Sequence, residues 1–213
     1  MRDSWRHFAA EFIGIFALVF VGGAAIMAAQ MARTENVLLI VAAAHGLILA
    51  VMVTATMRIS GHLNPAVTLG FLAARRIEPM MAMLFIVAQL LGATLAAYTL
   101  LWIFPHEAAL GARLGGQSLA LDISLGKGIA LEAIATFFLV FVVFGTAVDP
   151  KAPKIGGLAI GLTVAADTQP RQPRPRVRSR LHPQGRPRGR RRVRAEQQLR
   201  VRRHQRRSSA QAA

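Results

Sequence analysis

Four stretches of this chain, Phe8 to Ala29, Val37 to Met57, Met80 to Phe104 and Gly128 to Val148, are almost unbroken runs of apolar residues. A helix of about 20 apolar residues crosses a hydrocarbon core about 30 Å thick, so each run is long enough to span a bilayer. In lipid every backbone N–H and C=O must be satisfied internally, which leaves a helix as the form for such a run. The expected fold class is an all-α membrane protein. Composition agrees: 54% of residues are hydrophobic and 17% charged, with a mean hydropathy of +0.41, too apolar for an ordinary soluble domain.

The net charge of +16 is unevenly placed. Residues 1–167 hold ten Lys/Arg against nine Asp/Glu, whereas 168–213 hold sixteen Arg against one Glu. Two regions follow: a membrane domain to Asp167, and a tail rich in Arg, Pro and Gln whose composition predicts disorder. The chain has no cysteine, which excludes disulfides, thiolate nucleophiles and thiolate metal sites. No metal and no cofactor are expected. Two Arg precede the first apolar run without a small-residue cleavage site after it, so it is expected to stay as a membrane helix and not as a signal peptide.

Polar residues inside the spans are informative because they are costly in lipid and usually face protein or a water-filled path. Glu11, His45, Gln89 and Glu132 are such residues, one in each span. The two carboxylates also open a repeat, since "EFIGIFALVFV" at Glu11 and "EAIATFFLVFV" at Glu132 share seven of eleven positions at an offset of 121. Copies separated by three spans have opposite orientations, the inverted plan of many transport proteins. With the N-terminus inside, the inner segments carry Arg2, Arg6, Arg58, Arg75, Arg76, Lys151 and Lys154, and the outer ones Arg33, Arg113 and Lys127. Seven against three predicts a cytoplasmic N-terminus in a multi-pass protein of the cell membrane.

Between the second and third spans lies "SGHLNPAVTLGFLAARR". Asn favours the N-cap and Pro the first helical position, so Asn64 and Pro65 predict a helix start, with a half-helix over 64–74 and an apolar face of Val67, Leu69, Phe71 and Leu72. That is too short to cross a bilayer and predicts a re-entrant segment. Its N-terminal end would carry about half a positive charge, which in a pore opposes cations while leaving neutral molecules unaffected.

These residues resemble the major intrinsic proteins, the aquaporin and glycerol-facilitator channels. "SGHLNPAVTLG" is similar to their first signature loop and "AAEFIGIFALVFVGGAA" to their first helix; "FIVAQLLGATLAA", "ALEAIATFFLVFVVFGTA" and "KIGGLAIGLTVAAD" resemble their third, fourth and fifth helices. The resemblance covers residues 8–167. It implies an inverted repeat of tilted helices with two half-helices that each begin Asn-Pro-Ala, and a homotetramer with one pore per subunit. It further implies that Asn64 offers its side-chain amide to a passing solute, that Pro65 fixes the helix start and that Ala66 completes the contact. His45, nineteen residues before Asn64, would match the second-helix position of the selectivity constriction if a two-glycine "SGG" is shortened here to "SG". A His there is more like water-selective or plant vacuolar-type members than glycerol facilitators. Glu11 and Glu132, with Gln89, would orient the pore loops structurally.

The implied function is passive passage of water and small neutral solutes such as ammonia, glycerol less so, with no enzymatic chemistry. An intramembrane hydrolase built on Glu11, Glu132, His45 and His62 is the rival from another class, but no HExxH spacing occurs and Ser60 and His62 sit in the signature loop. The resemblance stops where a second Asn-Pro-Ala loop, a pore arginine three residues beyond its Asn and a sixth span should follow. The apolar run from Ile155 to Ala166 makes a helix of about 18 Å, which does not span. The tail lacks Lys, Asn, Ile, Phe, Met, Trp and Tyr, the output of GC-rich DNA read in a shifted frame. A defective, non-conducting channel fragment is therefore one expectation. A polybasic segment that binds anionic lipid is another, and nucleic acid is the less expected partner.

Overall fold

The computed structural model describes residues 4–116, 119 and 123–166; the Arg-rich tail, and the expectations attached to it, lie outside the described residues. Seven α-helices are described and no strand: α1 Ser4–Met31, α2 Val37–Thr56, α3 Pro65–Ala73, α4 Pro79–Ile103, α5 His106–Gly111, α6 Leu125–Val143 and α7 Gly156–Ala166. A π-helical turn, Phe144–Val148, extends α6. Helices α1, α2, α4 and α6 with its extension are long and apolar enough to cross a membrane, and α7 is not.

Apolar side chains point outward as well as inward, as expected where lipid replaces water. Leu39, Leu47, Val51, Leu90, Ile129, Phe137 and Phe141 are all exposed. Trp5 at the start of α1 and Trp102 at the end of α4 are exposed too, at positions suited to the interfacial aromatic belts.

With no hydrophobic drive between helices in lipid, close approach of small residues holds them together. Helix α1 crosses α4 where Gly92 lies against the Phe12 carbonyl, and a Cβ at Gly92 would come within 2.5 Å of that oxygen. Helices α2 and α7 meet through a ladder of small residues one turn apart, Gly46 and Ala50 on one side, Gly157, Gly161 and Ala165 on the other. A Cβ at Gly46 would lie 2.6 Å from the Gly161 carbonyl oxygen. Ile26, Met27, Val41, Leu100, Ala109 and Ala112 form one buried cluster, and Leu49, Val53, Leu63, Val67, Val143 and Ile160 form another.

The short α3 packs against α4 and α6 and not along the surface. The expected single apolar face is divided: Val67 is buried, Phe71 and Leu72 are half-buried, and Leu69 is 53% exposed. The reason is that α3 has neighbours on two sides, so its contacts follow α4 and α6 and not one stripe.

Because the α2–α7 ladder opposes backbone to backbone, a large side chain there has no flexible neighbour to displace. Gly161→Leu is expected to cost about 3 kcal/mol, the upper part of the range for overpacking. A lowered thermal unfolding midpoint in detergent checks this; an unchanged midpoint contradicts the ladder.

Candidate functional site

The centre of the site is the Glu11 carboxylate, 0% exposed and two turns into α1. Its Oε1 accepts hydrogen bonds from Ser60 Oγ at 2.6 Å, Gly61 N–H at 3.0 Å and His62 N–H at 2.9 Å. Its Oε2 accepts from Leu63 N–H at 2.8 Å and Gln89 Nε2 at 2.7 Å. A buried carboxylate is tolerable only with its acceptor capacity filled, and five donors fill it here. Three consecutive backbone N–H groups are thereby drawn to one point, and the loop must curl to deliver them. Gly61 at φ 148° and Leu63 at φ 43° take up that curl. At Gly61 a side chain would also press on Met57.

The curl delivers the chain to Asn64, the N-cap of α3, in extended geometry with φ −162° and ψ 127°. Asn64 Oδ1 accepts from Ala66 N–H at 2.7 Å, and Pro65 opens the helix where its missing N–H is not needed. With Oδ1 so engaged, the Asn64 NH2 keeps its donors, and no partner for them occurs among the described residues.

Behind the loop a second tier fixes the first turn. Thr68 Oγ1 donates to the Asn64 carbonyl at 3.1 Å and accepts from Gln89 Nε2 at 3.2 Å. Its single proton being used, the His62 Nδ1 at 3.2 Å must be the donor to it. The His62 ring is held by Phe71, with centroids 4.2 Å apart, and by the edge of Phe85 at 5.0 Å. Gln89 Oε1 is buried without a donor among the described residues, which follows from its Nε2 being committed to Glu11 and Thr68.

Asn64 borders a cavity of about 110 Å³. His45 from α2 shares it, with His62 and Leu63 of the loop and apolar walls from α1, α6 and α7 such as Leu18, Val143 and Ile160. His45 Nδ1 lies 2.8 Å from the Val41 carbonyl, so Nδ1 carries the proton and Nε2 is left as an acceptor. The imidazole lies against Gly22 of α1, where any Cβ would strike the ring. The cavity is thus bordered by the side chains of His45, His62 and Asn64 on otherwise largely apolar walls, polar groups that can exchange hydrogen bonds with a small neutral molecule.

The expected residues fall into two groups. Glu11, Gln89, Asn64, Pro65 and His45 converge around the loop and its cavity. Ala66 instead borders a second, open groove of about 750 Å³ between α3 and α6, and Glu132 lines that groove too. Glu132 is exposed and makes no hydrogen bond or ion pair among the described residues. Thr68, His62 and Gly22 were not singled out for the roles they take. A Thr four residues after the cap was the available signal for the first, and nothing in the sequence pairs Gly22 with His45. No group of three or more His, Asp or Glu suited to a metal occurs among the described residues.

Glu11→Gln retains the shape but turns an amide toward donors. It is expected to cost about 3 kcal/mol, the scale of losing a hydrogen bond to a charged group and leaving buried donors unmet. Chemical or thermal unfolding of the purified protein checks this; equal stability would show that the loop does not depend on the charge.

A sequence model of the major intrinsic protein family matches residues 1–170. The chain is 40% identical to a probable aquaporin TIP3-2 of Arabidopsis thaliana over 179 residues, 78% of this chain and 65% of that protein. It is 39% identical to aquaporin TIP4-4 of Zea mays over 76% of this chain and 66% of that one. The chain spans about two thirds of the length of these relatives. Among solved structures, the aquaglyceroporin from Plasmodium falciparum superposes with a TM-score of 0.67 at 25% identity, over 76% of this chain and 71% of that one. The buried loop, the short Asn-Pro helix and these matches agree: the chain belongs to the major intrinsic protein family of multi-pass membrane channels.

Proposed function

We propose that this chain provides a passive path for water, and for small neutral solutes such as ammonia ahead of glycerol. The observation that carries the reading is Asn64, whose side-chain oxygen caps α3 and which borders a cavity that His45 also lines. A water molecule entering from the loop side trades hydrogen bonds with these groups in turn. The start of α3 beside it contributes about half a positive charge, which raises the barrier for cations and for protonated water. The Glu11 oxygens are turned to the loop N–H groups and to Gln89, whose dipoles offset part of its charge. No bond is made or broken, and no residue of the site is assigned a catalytic role. We further infer a homotetramer in the cell membrane with the N-terminus cytoplasmic; the seven-to-three cation bias supports the orientation.

A second reading is favoured by one observation. Glu132 borders an open groove and has no donor among the described residues, which is the arrangement of a half-pore that does not conduct by itself.

Stopped-flow swelling of proteoliposomes separates the two. The channel reading predicts water flux well above empty liposomes, reduced at least tenfold by Asn64→Asp, which keeps the cap oxygen but replaces the amide donor with a negative charge. Wild-type flux equal to that of empty liposomes overturns the channel reading and leaves the half-pore.

A further inference from the structure

The His45 ring is held at two corners. Its Nδ1 lies 2.8 Å from the Val41 carbonyl one turn back on α2, and its Nε2 corner is turned into α1 at Gly22. A Cβ built at Gly22 would come closest to Nε2, with Cε1 at 2.6 Å and Cδ2 at 2.7 Å. These three ring atoms are the nearest ones, and no backbone is among them. Gly22 differs in this from Gly46, Gly92, Gly157 and Gly161, where a Cβ would meet the backbone of a neighbouring helix. Those glycines bring helices together, whereas Gly22 is a notch for one side chain.

The eleven-residue repeat marks the same position. Its copies end at Val21 and Val142, and the next residues diverge, Gly22 against Val143 at the same offset of 121. Val143 lines the cavity that His45 lines. The repeat therefore accepts a branched side chain at that place, and a glycine inside a helix is intrinsically disfavoured. What the missing side chain leaves in α1 is room for the ring.

Ordinary van der Waals contact begins at 3.4 Å, so a methyl group at Gly22 would displace the ring by about 1 Å. The space open to it is the cavity of about 110 Å³ that it shares with Leu18, Asn64 and Val143. A water molecule takes up about 30 Å³ in the liquid, so this cavity has room for only a few, and a ring moved into it narrows the way past Asn64.

We propose that Gly22 is a positioning residue for His45: having no side chain, it lets the imidazole lie back against α1, and the space so left beside the ring sets the width of the path for a neutral solute. The seat stands on the contact between Gly22 and His45; its effect on passage rests on the channel reading above.

The test compares Gly22→Ala, His45→Ala and the double variant of the full chain in proteoliposomes. Gly23→Ala is the neighbouring control, because its Cβ would meet Leu100 and not His45. Stopped-flow water flux is expected to fall about tenfold for Gly22→Ala, the lower end of what one methylene in a fitted pocket is worth. In the His45→Ala background the same change should leave the flux where it was. The thermal unfolding midpoint in detergent should follow the same cycle, lowered by Gly22→Ala when His45 is present and not lowered in the His45→Ala background. Gly23→Ala should act equally in both backgrounds. Equal losses from Gly22→Ala with and without His45 overturn the proposal. So does a coupled midpoint with unchanged flux, which would leave Gly22 as a packing residue alone. If Gly22→Ala by itself does not fold, recovery of the folded protein in the double variant supports the seat, and failure of both overturns it. A wild type that does not conduct removes the channel reading while the midpoint cycle still decides the seat; flux without coupling does the reverse.

Discussion

The arrangement depends on one buried carboxylate. Glu11 gathers the N–H groups of Gly61, His62 and Leu63, the Ser60 hydroxyl and the Gln89 amide around two oxygens. In lipid an irregular loop is tolerated only where its polar groups are satisfied by protein or face a water-filled cavity. Glu11 meets the first condition on one side of the loop, and the cavity beside Asn64 lies on the other. The short helix α3 can then begin among the long helices and not at the surface. The geometry of Asn64, the position of the cavity and the direction of the α3 dipole all follow from that anchoring.

Around the anchor, energy is distributed in a way typical of membrane folds. Helix contacts rely on small residues that bring backbones together, as in the Gly46, Gly157 and Gly161 ladder and at Gly92 against α1. Polar side chains inside the bundle converge on the loop: Thr68 ties Gln89, His62 and the Asn64 carbonyl into a second tier. Disturbing that tier should therefore shift the helix start before it disturbs the long helices.

Much of this was legible in the residues. The four long apolar runs fix their own helices, because lipid allows little else, and Asn64-Pro65 marks the start of α3 through local cap chemistry. Glu11 stood out because an ionised group in an apolar run needs a reason. What the sequence could not display were contacts made by approach in space. The Gly22 gap that admits the His45 ring, the meeting of Thr68 with Gln89 and the division of α3 between two neighbours depend on helix crossings that no local pattern encodes. The repeat announced Glu132 as the counterpart of Glu11; that it lies in an open groove, and that Ala66 borders this groove and not the Asn64 cavity, required the fold.

The central claim is that a carboxylate inside the bundle grips the loop and so sets where the short helix begins. Residue-resolved amide hydrogen exchange of the full chain in nanodiscs tests it most directly. The N–H groups of Gly61, His62 and Leu63 should be protected to the degree of the long helices and far beyond the exposed turn at Thr34 to Asn36. Exchange of those three amides at the rate of the exposed turn would contradict the account.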